Sequence, residues 1–135
     1  MAGTIVADTI QDGAGNSTAM DNAIYGSAKS WVRFNGVSSV SIAASYNVSS
    51  ITRTGTGTYT YSFSNALTDA NYAVVASSSG DGSNAGNIII PFNASMTTTN
   101  STTAPTSSGF VFSTANQTTS STARDGQYIS IVVLR

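Results

Sequence analysis

Lys29-Ser30-Trp31-Val32-Arg33-Phe34-Asn35-Gly36 opens the stretch that decides the fold, and Gly57-Thr58-Tyr59-Thr60-Tyr61-Ser62-Phe63 is its clearest part. In the second segment Tyr59, Tyr61 and Phe63 fall on one face and Thr58, Thr60 and Ser62 on the other. That period of two is the mark of a half-buried strand. Between the two lies Asn47-Val48-Ser49-Ser50-Ile51-Thr52, and after them Asp69-Ala70-Asn71-Tyr72-Ala73-Val74-Val75. Each run is rich in β-formers and is bounded by Gly, Asn or Asp, so residues 29–75 read as successive strands joined by tight turns. Gly55-Thr56-Gly57 is a hairpin turn signal, with Gly free to take positive φ. Trp31, within an alternating strand, is expected in the core, where its loss would cost about 3–5 kcal/mol. The alternative for Trp31 is an exposed platform on which a sugar stacks.

Outward from this stretch the pattern continues. Residues 3–11 read as a short strand and 12–16 as a turn. Residues 17–27 read as a connector able to carry a short helix stopped by Gly26. Later strands are expected at 87–93, 109–114 and 127–134, with Pro91 putting its strand near an edge or bulge. Between them run three polar loops, 77–87, 96–108 and 115–126, rich in Ser, Thr, Asn and Gly. The expected architecture is all-β: an antiparallel, jelly-roll-like β-sandwich of about eight strands over 29–135. Residues 1–28 precede it as a leader too poor in apolar residues for a core of its own. At least two of the three loops are expected at one end of the sandwich, away from the leader.

Composition narrows the function. Charged residues make up 8% of the 135, against about 25% in an ordinary soluble domain. Ser and Thr supply roughly a third of the chain instead. A net charge of −1 gives little field to steer a polyanion or a lipid surface, so nucleic acid and membrane insertion are not expected. There is no Cys, His or Glu. Disulfides, thiolate metal sites and imidazole bases are therefore impossible, and the abundant serines lack a partner base. Asp69, Asp81 and Asp125 read as turn residues that cap their own backbone. An enzyme, a metal site at Asp81-Gly82-Ser83-Asn84 and any cofactor are not expected. The N-terminus has no basic region followed by an apolar stretch, so no secretory signal is read there.

Several segments resemble a module of tailed-bacteriophage fibre proteins. They are Ala28-Lys29-Ser30-Trp31-Val32-Arg33-Phe34-Asn35-Gly36, Ser45-Tyr46-Asn47-Val48-Ser49-Ser50-Ile51, Gly55-Thr56-Gly57-Thr58-Tyr59 and Asp69-Ala70-Asn71-Tyr72. Ile5-Val6-Ala7-Asp8-Thr9-Ile10-Gln11 also looks like the start of such proteins, and together these cover about the first half of the chain. The resemblance implies a β-sandwich in a homotrimer on the exterior of a virion, tail or capsid, assembled in the bacterial cytoplasm. It implies a short tail fibre docked on other virion proteins through its leader, with Ile5, Val6, Asp8 and Ile10 as anchor candidates. The loops would touch a host glycan or surface protein, with Ser79, Asp81, Ser83, Asn84, Thr98, Asn100, Thr103, Asn116, Thr119 and Arg124 as contact candidates. The alternative is a head decoration or tail adaptor with a purely structural role.

Overall fold

The computed structural model describes residues 3, 6–80, 87–93, 102–116 and 122–135. Within them lie two packed antiparallel sheets, a small leader hairpin and one short helix. The leader holds β1 (Thr9–Gln11), β2 (Ser17–Ala19) and α1 (Met20–Gly26). The sandwich holds β3 (Ala28–Asn35), β4 (Ser41–Tyr46), β5 (Val48–Gly55), β6 (Thr58–Phe63), β7 (Ala73–Ser78), β8 (Asn87–Pro91), β9 (Gly109–Asn116), the two-residue β10 (Thr122–Ala123) and β11 (Ile129–Leu134).

The first sheet runs β4-β3-β11-β7. The second runs β5-β6-β9, and β9 also pairs with β8 and β10. Ser113 of β9 partners both Thr58 of β6 and Ile90 of β8, so β6 and β8 flank β9 on opposite edges. Asn116 likewise partners Asn87 and Thr122, which places β10 beyond the start of β6 on the same edge. Pro91 thus ends an edge strand, where its missing N–H costs no ladder bond. The chain crosses from the first sheet to the second at Asn47, whose φ of 54° Asn tolerates better than most residues. The Asn47 amide donates to the carbonyls of Lys29 and Asn65, both at 3.1 Å, and its oxygen accepts from the Asn65 N–H at 2.7 Å.

The core is aromatic. Tyr59, Tyr61 and Phe63 of β6 face inward beside Phe110 and Phe112 of β9. Tyr59 stacks on Phe112 with centroids 5.2 Å apart, and Tyr61 on Phe110 at 4.8 Å. Phe34 from the opposite sheet meets Tyr59 edge-on at 5.6 Å, an orientation the ring quadrupoles favour. Val32, Ile129, Ile131 and Val133 complete the inner face of the first sheet. The buried hydroxyls are paired across the sandwich: Ser30 Oγ lies 2.5 Å from Tyr61 Oη. Burial pushes the Tyr61 phenol up to about 12, because the charged form would have to give up water.

Three expectations are corrected here. Trp31 is not in the core; β3 turns Ser30, Val32 and Phe34 inward, and Trp31 stays 38% exposed on the outer face. The period of two was right, but Ser30 takes the inward place because its hydroxyl has Tyr61 and the carbonyls of Tyr46 and Asn47 to bond. Trp31→Ala is accordingly expected to cost about 1 kcal/mol in a denaturant titration, well below a buried aromatic. Asp125, expected as a local turn residue, instead reaches across to Arg53, Tyr59 and the Gly57 N–H. The leader forms a hairpin with a second strand, where one strand and a connector were expected. Asp12 accepts the N–H groups of Ala14 and Asn16 at 2.9 Å and so fixes the intervening turn. Those bonds, the Asn16 side chain's first, hold the Asp12 carboxyl below the usual range.

Candidate functional site

Four chain segments meet at one end of the sandwich: the β3–β4 connection at Gly36, the β5–β6 turn, the exit of β7 and the approach to β11. Asp125 ties the first two to the approach to β11. Its carboxylate accepts from Arg53 Nε at 3.0 Å and Nη2 at 2.8 Å, from Tyr59 Oη at 2.6 Å and from the Gly57 N–H at 2.8 Å. Tyr59 Oη also lies 3.2 Å from the Gly36 carbonyl oxygen, and the Gly36 N–H donates to the Gly126 carbonyl at 2.9 Å. Gly is required at both turn positions. A Cβ on Gly36 would come within 2.4 Å of Tyr59 Oη, and Gly57 has φ +64° against the Thr114 carbonyl.

The electrostatics follow from this geometry. Burial pushes the Asp125 carboxyl up, but the bonds from Arg53, Tyr59 and Gly57 outweigh it and hold it below the usual carboxylate range. Tyr59 is raised, first by burial and then by the adjacent carboxylate. The Arg53 guanidinium is raised by its bond to Asp125. Arg53 and Tyr59 thus stay in the state that bonds Asp125 at neutral pH. The cluster is built to hold loops, and its carboxylate is committed to Arg53, Tyr59 and Gly57.

Ser79 belongs to the same end. Its N–H donates to the Tyr128 carbonyl at 2.9 Å, and its Oγ accepts from the Tyr128 N–H at 3.0 Å. The Arg124 N–H donates to the Thr114 carbonyl at 3.0 Å, and the Arg124 carbonyl accepts from Thr114 Oγ1. The loops after β7 and after β9 therefore leave from one end, opposite Ala28, where the leader enters beside Leu134. The β8–β9 loop leaves from the leader's end. Its Thr103 N–H donates to the Phe92 carbonyl at 2.8 Å, and Thr103 lines a shallow depression of about 260 Å³ with Thr60, Ser62 and Val111. Thr103 is therefore apart from Ser79 and Arg124. Asn116 is 7% exposed, and its Oδ1 accepts from the Thr122 N–H at 3.0 Å. Its side chain closes the β9–β10 connection and does not face outward as a contact residue would. Asp81, Ser83, Asn84, Thr98, Asn100 and Thr119 lie outside the described residues.

At the other end, none of the leader's described side chains is buried. Val6 is 92% exposed and Ile10 44%, and Asp8 is exposed with its carbonyl accepting from the Met20 N–H at 2.8 Å. Ile5 lies outside the described residues. Asp69 stands near this end, bonding the Asn71 N–H at 2.8 Å as a turn residue should. It also pairs with Arg135 Nη2 at 2.5 Å, which ties down the C-terminus. The bond from Arg135, then that from Asn71, holds its carboxyl below the usual range. Among the described residues no three Asp side chains gather as a metal site would require.

No protein-family model matches the chain, and no curated protein or solved structure matches it.

Proposed function

We propose that the chain is a short bacteriophage tail fibre that attaches to the virion through residues 1–28 and meets the host surface through its opposite end. The observation that carries this reading is polarity. A leader with exposed Val6, Ile10 and Ile24 enters one end, while two polar loops leave the other from a base that Asp125 makes rigid. Binding loops on a rigid scaffold are a common way to combine recognition with stability. Ser, Thr, Asn and Gly in those loops offer adaptable donors and acceptors to a glycan or a surface protein. A homotrimer would present three copies of the loop end, and that avidity would offset weak contacts per chain.

The test is multiple Ala substitution within 81–86 and 117–121, read by phage adsorption and by thermal unfolding. The expected result is a melting temperature within a few degrees of the parent, as surface changes cost about 0.5 kcal/mol or less, with adsorption to the host abolished. Normal adsorption by the substituted phage would overturn the fibre reading. The decoration or adaptor role would then stand.

A further inference from the structure

The outer face of the β4-β3-β11-β7 sheet carries an arrangement that the loops do not. Its registers align Tyr46, Trp31, Val132 and Val75 in one row across all four strands. The next row is Ala44, Arg33, Ser130 and Ser77. Beyond it stands Tyr128, 55% exposed, with the Arg33 guanidinium 5.6 Å from its ring centroid. Tyr46 is 58% exposed. Small residues flank Arg33, so the face forms a trough between the Trp31–Tyr46 pair and Tyr128, roughly 13 Å long at about 3.4 Å per residue.

Charge decides what fits it. The four strands contain Lys29 and Arg33 and no carboxylate. Arg53 and Arg135 each hold an Asp, at 2.8 Å and 2.5 Å, whereas Arg33 is held over a ring. A guanidinium fixed by an aromatic keeps its charge available for an anion. Two identical faces brought together would oppose like charges, which disfavours a second copy seated face to face. Flat apolar rings beside a cation suit a saccharide that stacks its ring and presents an acid group.

We propose that this trough, made by Trp31, Tyr46, Arg33 and Tyr128, binds an acidic saccharide. The Trp31 and Tyr46 rings stack a sugar, and Arg33 bonds the carboxylate or phosphate of the same residue or the next. Tyr128 is bonded to Ser79, so the trough opens onto the loop end. The inference rests on the host-contact reading above and names its ligand class. The two fail separately, since the loop substitutions leave the trough intact and are read by adsorption.

Trp31 is the sole tryptophan, so its fluorescence reports the site directly. The full chain is titrated with uronic-acid, sialic-acid and phosphorylated oligosaccharides and with neutral oligosaccharides of equal length. The expected result is a saturable emission change with acidic members of the panel, weakened by salt. Arg33→Gln should lower that affinity about tenfold and remove the preference over neutral sugars, with unfolding unchanged. Tyr46→Ala, which keeps the reporter, should also weaken it. The inference is overturned if no acidic saccharide shifts the emission, or if neutral and acidic members bind alike. It is also overturned if the emission is already that of a buried indole in an associated chain whose mass falls with Trp31→Ala, since a second copy then covers the face.

Discussion

Asp125→Ala is expected to cost about 3 kcal/mol, because removing one partner strands the others in a partly buried place. Arg53 would lose its carboxylate, the Gly57 N–H its acceptor and Tyr59 Oη the shorter of its two bonds. The segments at Gly36, Gly57 and Gly126 would then lose their common tie, so the loop end should loosen more than the leader end. Urea titration gives the loss, and amide exchange gives its location. A loss under about 1 kcal/mol, the range of an exposed pair, would mean that water already shares the carboxylate.

The same residue sets the acid limb of stability. Its folded pKa lies below the unfolded value of about 3.9, so its contribution is fully present above that value and is lost as pH falls through the folded one. Asp69 and Asp12 add in the same direction. The alkaline limb has the opposite sign. Tyr61 and Tyr72 are raised to about 12 by burial, so their neutral forms favour the fold below about 10 and that advantage disappears as pH rises towards 12. With no His to titrate, stability should be flat between these limbs. The Asp125→Ala chain should show a shallower acid limb, and a weaker alkaline limb as well, because the Asp125 carboxylate helps to raise Tyr59.

Much of the fold was legible in the sequence because a sheet writes its faces in alternate residues. Tyr59, Tyr61 and Phe63 announced their strand and its buried side, and Gly55-Thr56-Gly57 its turn. Trp31 shows where that logic stops. Alternation says that Trp31 and Val32 point opposite ways but not which side is the core. Size argued for Trp, and Ser30 won through hydroxyl bonds to Tyr61, Tyr46 and Asn47 that only the fold creates. The Asp125 cluster was hidden for a related reason. Arg53 stands 72 residues from Asp125 and Tyr59 66, and no local pattern links such positions. Asp125 beside Gly126 looks like any turn. Asn116 was misplaced among contact residues because a Ser/Thr/Asn-rich segment looks exposed throughout, whereas β9 extends far enough to bury it. The trough on the outer sheet face was half visible, since the exposed alternative for Trp31 pointed to a sugar, but its pairing with Tyr46 needs the β3–β4 register.

Removal of residues 1–28 is expected to leave the sandwich folded and to abolish incorporation into particles. None of the leader's described side chains is buried, so the core loses none of them when the leader goes. The one strand affected is β3, whose first residue, Ala28, pairs with Leu134 at the sheet's end, where fraying costs little. Exposed Val6, Ile10 and Ile24 are apolar surface that only a partner would take out of water. Circular dichroism and a particle-incorporation assay check the two halves. An unfolded truncation would make the leader part of the core, and normal incorporation would deny that it anchors anything.

A density map of the whole virion tests the polarity of the molecule most directly. Residues 3–11 should contact another virion protein, and the Gly36, Gly57 and Asp125 end should point away from the particle with its loops uncovered. A map with that end packed into the capsid or tail lattice, and the leader facing solvent, would contradict it.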